Sequence, residues 1–458
     1  SKYIFDGTGE RAITSFAAMM QSALTPAWTK WASFVAGQTI PKESREEMNK
    51  QLAGVSDTVM EYIWYSNFDS QVLEMYYDLA IGTGAMLIHN TNDPSDPLRF
   101  ESVPLNEVYP EEGAYGDIDT VFRKFKITNR NIKQRWSKAT FSLKLSQNIE
   151  KNPDLKVTVI EGVIYDHTKK SYTYNITVAD EVIYEIGLES SPWVLPRWDT
   201  RSGEVLGRGP AFNALSDVKT LNQVKKYSLM NAEMAVSNIY TAVDDGVMNP
   251  YNIELAPNTI IPVKSNGGEL GPSLAALPRS GDFNVSNLII ADLQSEIREA
   301  FFVDSLGGIE NAPVRSATEI QIRTNQMLRK AGALFGRLQT EFINKLMKRV
   351  YFILADNGLV PNAVVDDKIL AVRVESPLAT TRKQEELNTY LGFLQTAASI
   401  NPNAPALLVK PSNITWIAEM MGVPLDQVPT TEELTESLQQ LAQQLQQQAQ
   451  AQQGEQPQ

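Results

Sequence analysis

Residues 197–236 read RWDTRSGEVLGRGPAFNALSDVKTLNQVKKYSLMNAEMAV: an aromatic and basic pair, a glycine-punctuated loop, then a long run with helical spacing. Gly203, Gly207 and Gly209 open backbone conformations closed to other residues. Pro210 suits a helix start, because a first-turn proline forfeits no intrahelical hydrogen bond. From Phe212 onward, Leu215, Val218, Leu221, Val224, Leu229 and Met234 recur at helical intervals, while Lys219, Lys225, Lys226 and Glu233 take other faces. A helix over 211–237 would extend roughly 40 Å at about 1.5 Å per residue. That is long for an element of an ordinary globular core.

The order of residues here resembles the head-to-tail connector, or portal, family of short-tailed bacteriophages. The resemblance rests on Trp198, Gly203-Glu204, Gly207-Arg208-Gly209-Pro210, Ala214-Leu215-Ser216-Asp217-Val218-Lys219 and Leu221-Asn222. It continues at Asp6-Gly7-Thr8-Gly9 and Leu24-Thr25-Pro26, and again at Thr318-Glu319, Gly336-Arg337-Leu338 and Glu341. Arg315-Ser316-Ala317 departs from the family's more usual Met-Thr-Ala. Residue 1 is serine, and members of the family commonly carry further residues upstream.

Composition narrows the chemistry. At 458 residues the chain exceeds the size at which one hydrophobic core keeps growing, so two or more domains are expected. There is no cysteine, and His89 and His167 are the two histidines, which excludes disulfides, thiolate metal sites and cysteine nucleophiles. No run of about 18 uncharged apolar residues occurs, so no membrane insertion is expected. The N-terminal residues lack a signal-peptide pattern. No Gly-Lys pair exists, which removes a phosphate-binding loop. Gly82-Thr83-Gly84 reads as a turn. Asp117-Ile118-Asp119 and Asp244-Asp245 carry the charge for a divalent cation but read as turn or edge carboxylates. No cofactor and no enzymatic activity are expected. The formal charge of −13 argues against tight wrapping of nucleic acid, though not against a conduit along which DNA slides.

The periodicities predict an α+β, predominantly helical chain. Residues 1 to about 80 read as helices, with an aromatic stripe (Tyr62, Trp64, Tyr65, Tyr76, Tyr77) expected in the core. From about 85, strands are expected at 98–103, 121–127, 157–165, 171–178 and 182–186, with the polar run at 129–131 as a turn. Val157, Val159 and Glu161 should share one face, against Thr158 and Ile160. Turn signals fill 239–280, where short strands including 259–263 are expected. A helical face of Val285, Leu288, Ile289, Leu293, Ile297 and Phe301 follows. Ser316 and Glu319 form a capping box for a helix running to Asp356, with close packing or a kink at Gly332 and Gly336. Short helices are expected over 377–425. Thr430 and Glu433 form a second capping box, opening a glutamine-rich helix with a stripe at Leu434, Leu438, Leu441 and Leu445 and a disordered tail beyond.

The resemblance implies the portal architecture: a wing (1–209), a first stem helix (210–237), a clip (238–282) and a second stem helix (283–302). A tunnel loop (303–315), a long wing helix with a following strand (316–376) and a crown (377–458) complete it. It implies a ring of twelve copies at one capsid vertex, threaded by double-stranded DNA that a separate terminase drives. Terminase large subunit, tail adaptor or nozzle proteins, and major capsid and scaffolding proteins are the implied partners. The place is the virion, and the host cytoplasm during assembly. By the same resemblance Asp304, Ser305, Gly307, Gly308, Glu310, Asn311 and Arg315 would line the channel. Lys219, Lys225 and Lys226 would face it from the stem, unless they form a solvated face. Asp244, Asp245, Tyr251, Lys264, Asn266 and Arg279 would meet terminase or adaptor at the clip. The alternative is a tail or head-completion ring with no translocation role.

Overall fold

The computed structural model describes residues 3–136, 138–236, 240–243, 260–263, 274–276, 283–303, 336–362, 370–375 and 377–401, with 408, 413 and 416–418. In chain order these give α1 (Thr8–Leu24), β1 (Ala32–Ala36), α2 (Lys42–Tyr65), α3 (Phe68–Ile81), β2 (Met86–Asn90), β3 (Leu98–Ser102) and β4 (Val108–Glu112). Next come β5 (Ile118–Thr128), α4 (Asn129–Arg135), α5 (Leu143–Lys151), β6 (Lys156–Asp166), β7 (Ser171–Val178), β8 (Glu181–Leu188) and β9 (Trp193–Val194). Then follow α6 (Pro210–Asn213), α7 (Leu215–Val236), β10 (Tyr240–Val243), β11 (Ile260–Val263), β12 (Leu274–Ala276) and α8 (Phe283–Ala300). A π-helical turn (Gln339–Asn344), α9 (Lys345–Asp356), β13 (Leu370–Val374) and α10 (Pro377–Ile400) end the described elements. The chain divides into two compact units, residues 1–16 with 209–324 and residues 17–208 with 325–458.

The larger unit is built on an antiparallel meander, β4-β5-β6-β7-β8. The expected alternation holds: Val159 and Glu161 are buried while Ile160 faces out. Ala179 and Asp180 both take positive φ, the conformation of a two-residue hairpin turn that matches the twist of the flanking strands β7 and β8. The apolar face packs Phe125, Val159, Ile176 and Ile183 against Ile132 and Trp136, with Leu145 and Ile149 of α5. The polar run at 129–131 is therefore not a turn but the start of α4. Its Ile132 supplies the apolar contact that secures this short helix.

A second core of this unit lies where α3, α9 and β1 meet through aromatic rings. Trp31 stacks on Phe68 at 5.7 Å, Tyr76 meets Phe342 at 6.0 Å and Phe34 meets Tyr351 at 5.0 Å. β1 interrupts the region read as wholly helical and pairs antiparallel with β13, Ala32 opposite Val374. Of the predicted aromatic stripe, Tyr76 is buried but Tyr65 is 80% exposed, because it lies on the outer face of α2, edge-on to exposed Trp28. Gly336 has no atom within 4 Å of where a Cβ would sit, so close packing is not its role. The irregularity falls three residues later, in the π-helical turn. α10 is one helix of 24 residues rather than several short ones.

In the smaller unit α7 packs against α8. The single helix expected from 211 is divided at Ala214, giving α6 and then α7. The buried face of α8 is Ile290 and Ile297, continued by Phe301 just past its end, whereas Leu288 and Ile289 point outward, so the predicted face is rotated. β10 lies between β11, parallel to it, and β12, antiparallel. Thr318, Glu319, Gly332, residues 304–315 and the glutamine-rich segment lie outside the described residues.

Candidate functional site

The loop that opens the 197–236 stretch is held by backbone pairing. Gly84 N–H donates to Pro196 O at 2.9 Å, Trp198 N–H to Gly82 O at 2.8 Å, and Arg208 N–H to Asp199 O at 2.7 Å. Gly203 turns the loop at φ +83°. Gly207 packs so closely that an added Cβ would stand 2.5 Å from Gly82 O, while its N–H donates to Thr83 Oγ1 at 2.8 Å. Glu204 and Arg208 close the loop's outer edge with two hydrogen bonds.

Arg197 points inward from this loop and is buried. Its guanidinium carries five N–H donors, and five oxygen atoms of four residues accept from it. Nε donates to Glu341 at 3.2 Å; Nη1 donates to Glu112 Oε1 at 2.8 Å and Val205 O at 3.3 Å. Nη2 donates to Gly116 O at 3.1 Å and Glu341 Oε1 at 2.8 Å. Glu341 also accepts the backbone N–H of Arg197 at 3.0 Å. That carboxylate sits in the π-helical turn, whose widened backbone carries Glu341, Phe342 and Ile343 all buried. Burial alone would lower the pKa of Arg197, but Glu341 and Glu112 hold it above the ordinary arginine value. Nearby Lys345 is pulled down by burial; the charges of Asp117 and Glu341 oppose the shift and that of Arg197 adds to it. Arg337 adds a bond to Trp198 O at 3.3 Å, and Trp198 itself is buried.

In the smaller unit the N-terminal residues are fastened to α7 and α8. Asn222 Oδ1 accepts from Phe5 N–H at 2.6 Å, and its Nδ2 donates to Tyr3 O at 3.3 Å. Asp6 accepts from Thr8 N–H at 2.8 Å, at the start of α1, and from Gln294 Nε2 at 3.0 Å. Burial pushes the Asp6 carboxyl up, but the bonds from Thr8 and Gln294 hold it below its usual value. Gly9 lets α1 approach α7 closely, since a Cβ there would meet Val218 at 3.3 Å.

The separate motif segments thus converge in two places. In the larger unit the loop that carries Trp198, Gly203, Glu204, Gly207 and Arg208 meets Arg337 through Trp198 O and Glu341 through Arg197. In the smaller one Asn222 meets Tyr3 and Phe5, Val218 meets Gly9 and Gln294 meets Asp6, while Pro210 is buried at the first turn of α6 and Asp217 lies in the first turn of α7. Lys219 is exposed, and Lys225 and Lys226 are partly exposed. All tunnel-loop and clip candidates lie outside the described residues: Asp304, Ser305, Gly307, Gly308, Glu310, Asn311 and Arg315, then Asp244, Asp245, Tyr251, Lys264, Asn266 and Arg279. Among the described residues no group of three metal-ligating side chains forms, and His167 stands 3.6 Å from Asp119, at the protein surface. Glu112, Gly116 and Thr83 escaped sequence reasoning, because nothing in a strand end or a turn announces a partner 85, 81 or 124 residues away.

A family model described as bacteriophage head to tail connecting protein matches residues 1–428. The chain belongs to that family. The resemblance read from the 197–236 stretch is borne out, and with it the place of the chain in a phage virion as a structural head-to-tail connector. A portal protein of Salmonella phage epsilon15 is 25% identical over 386 residues, covering 78% of this chain and 68% of that one. A probable portal protein of Bordetella phage BPP-1 is 24% identical over 452 residues, covering 92% and 79%. Among solved structures, the virion of a native gene transfer agent particle has a TM-score of 0.37 at 11% identity, covering 84% of this chain and 86% of that one.

Proposed function

We propose that this connector assembles as a closed ring, probable portal and portal proteins being its relatives, through which double-stranded DNA enters the capsid and later leaves. A separate terminase motor drives entry, and tail adaptor proteins dock on the finished ring. The observation that carries the reading is the outward face of the paired helices. Phe212, Leu215, Leu229 and Met230 of α6 and α7, with Leu288 and Ile289 of α8, expose large apolar surface. A stable soluble unit seldom leaves such a stripe bare, and identical neighbours around an axis would cover it. Lys219, Lys225 and Lys226 then belong to the channel wall, where a few cations in a chain of charge −13 keep phosphate contacts sparse. In this reading α7 and α8 are the stem, the β10–β12 sheet the clip, and 303–315 the tunnel loop.

Electron microscopy of the purified chain tests it. The expected result is a ring of about twelve copies, with the apolar residues of α7 and α8 between neighbours and the three lysines toward the axis. A monomer, or a ring whose lysines face outward, would contradict the reading. A ring that assembles normally yet cannot support packaging when combined with terminase would favour a head-completion role.

A further inference from the structure

The larger unit holds a second buried arginine, Arg349 of α9, that the connector reading does not use. It is 4% exposed, and both its hydrogen bonds leave from Nη1, to Ser190 O at 3.3 Å and Ser190 Oγ at 3.2 Å. Its Nε is buried without a partner, and among the described residues no carboxylate forms an ion pair with it. Arginine does not shed its proton in proteins, so this charge stays where it is. A buried charge is normally met by a counter-charge, because desolvating it alone is costly.

Arg349 lines a cavity of about 200 Å³ in the same unit. Arg135 and Lys138 line it too, against one carboxylate, Asp356, which already accepts from Asn90 at 3.1 Å. Lys138 bonds only a neutral group, Asn92 Oδ1 at 3.3 Å. Arg135 donates to Glu101 at 2.7 Å, but that carboxylate also serves Arg123 and His89, and Arg135 Nε has no partner. Cations therefore outnumber carboxylates around this space, in a chain whose overall charge is −13. The rings of Trp136 and Phe352 close other walls. A dry cavity of about 150 Å³ is enough for a benzene-sized guest, so the space admits an oxyanion with room to spare.

We infer that this cavity is an oxyanion site, in which a phosphate or carboxylate group supplies the counter-charge for Arg349, Arg135 and Lys138. Two sources share that chemistry: a free anion in solution, or an acidic side chain of a second copy of the chain. The inference stands apart from the ring reading, since the free-anion arm is measured on unassembled protein.

Thermal unfolding and calorimetric titration with inorganic phosphate, against chloride at matched ionic strength, test it on the full chain. The wild type should show saturable binding and a rising midpoint. Arg349→Met should weaken phosphate binding at least about tenfold, the scale of losing charge-assisted hydrogen bonds. Lys138→Gln, an exposed change that cannot impair folding much, should weaken it about twofold to fivefold. If phosphate has no effect on the wild type but Arg349→Met raises the self-association constant's Kd at least about tenfold by ultracentrifugation, the source is a second copy. Neither effect in either variant overturns the site.

Discussion

Arg197 and Arg349 are both buried arginines of the larger unit, and they are satisfied in opposite ways. Arg197 spends every N–H on an acceptor, and two of its partners are the carboxylates Glu341 and Glu112, both within 2.8 Å. Arg349 has hydrogen bonds to one serine, the charge of Asp356 across an open cavity and no carboxylate in direct contact among the described residues. The first arrangement is complete within the chain: it ties the motif loop to the π-helical turn. The second is incomplete, and what it lacks is a negative charge from elsewhere. The difference separates a cation that positions structure from one placed to receive something.

The sharpest way to break this contrast is to make Arg197 resemble Arg349. Glu341→Gln keeps the shape and one acceptor oxygen but removes the carboxylate, leaving a buried guanidinium partly uncompensated beside Glu112. A loss of about 3 kcal/mol in chemical denaturation is expected, near the lower end for breaking a buried ion pair. Trp198, buried beside the knot, offers a fluorescence signal for it. A cost under about 1 kcal/mol would show that the knot is not a stabilising element.

A smaller effect is expected at Arg123, the third buried arginine, which follows the Arg197 pattern with Glu101 at 2.8 Å and Glu107 at 2.9 Å. Burial pushes Glu101 up, but the hydrogen bond from His89 and the charges of Arg135 and Arg123 hold it well below the usual carboxylate range. A depressed native value means the stabilisation is fully present above the unfolded value, about 4.3. It is lost as pH falls from there through the native value. Between pH 7 and pH 3 the wild type should therefore lose about 2 kcal/mol more than Glu101→Gln does. Parallel acid curves for the two proteins would remove Glu101 from the account.

Much of this was legible in the sequence, and the failures have physical causes. The β5–β8 strands announced themselves through alternation, since one face is buried and the other wet. The 197–210 loop was legible because glycine and proline at fixed offsets encode backbone geometry locally. β1 was not, because Ala32–Ala36 has few polar residues to alternate with, and its partner β13 lies more than 300 residues away. The Arg197–Glu341 pairing was half visible: both residues stood out separately, but nothing local shows that they meet. Arg349 gave no signal at all. On α9 it looks like any arginine of an amphipathic helix, and only packing reveals that its head is enclosed.

The smallest expected effect sharpens the comparison most. Arg349→Met removes a cation whose hydrogen bonds go to one buried serine, Ser190, and puts an apolar chain of similar length among Trp136, Phe352 and Ile88. Replacing buried ionic groups by well-packed apolar ones is often neutral or favourable, whereas removing one member of a buried pair is not. With no oxyanion present, the variant should therefore unfold within about 1 kcal/mol of wild type, in denaturant where Glu341→Gln loses about 3. A loss for Arg349→Met equal to that of Glu341→Gln would mean that Arg349 is already compensated inside the chain. The two arginines would then be alike, and the cavity would have no call for an anion.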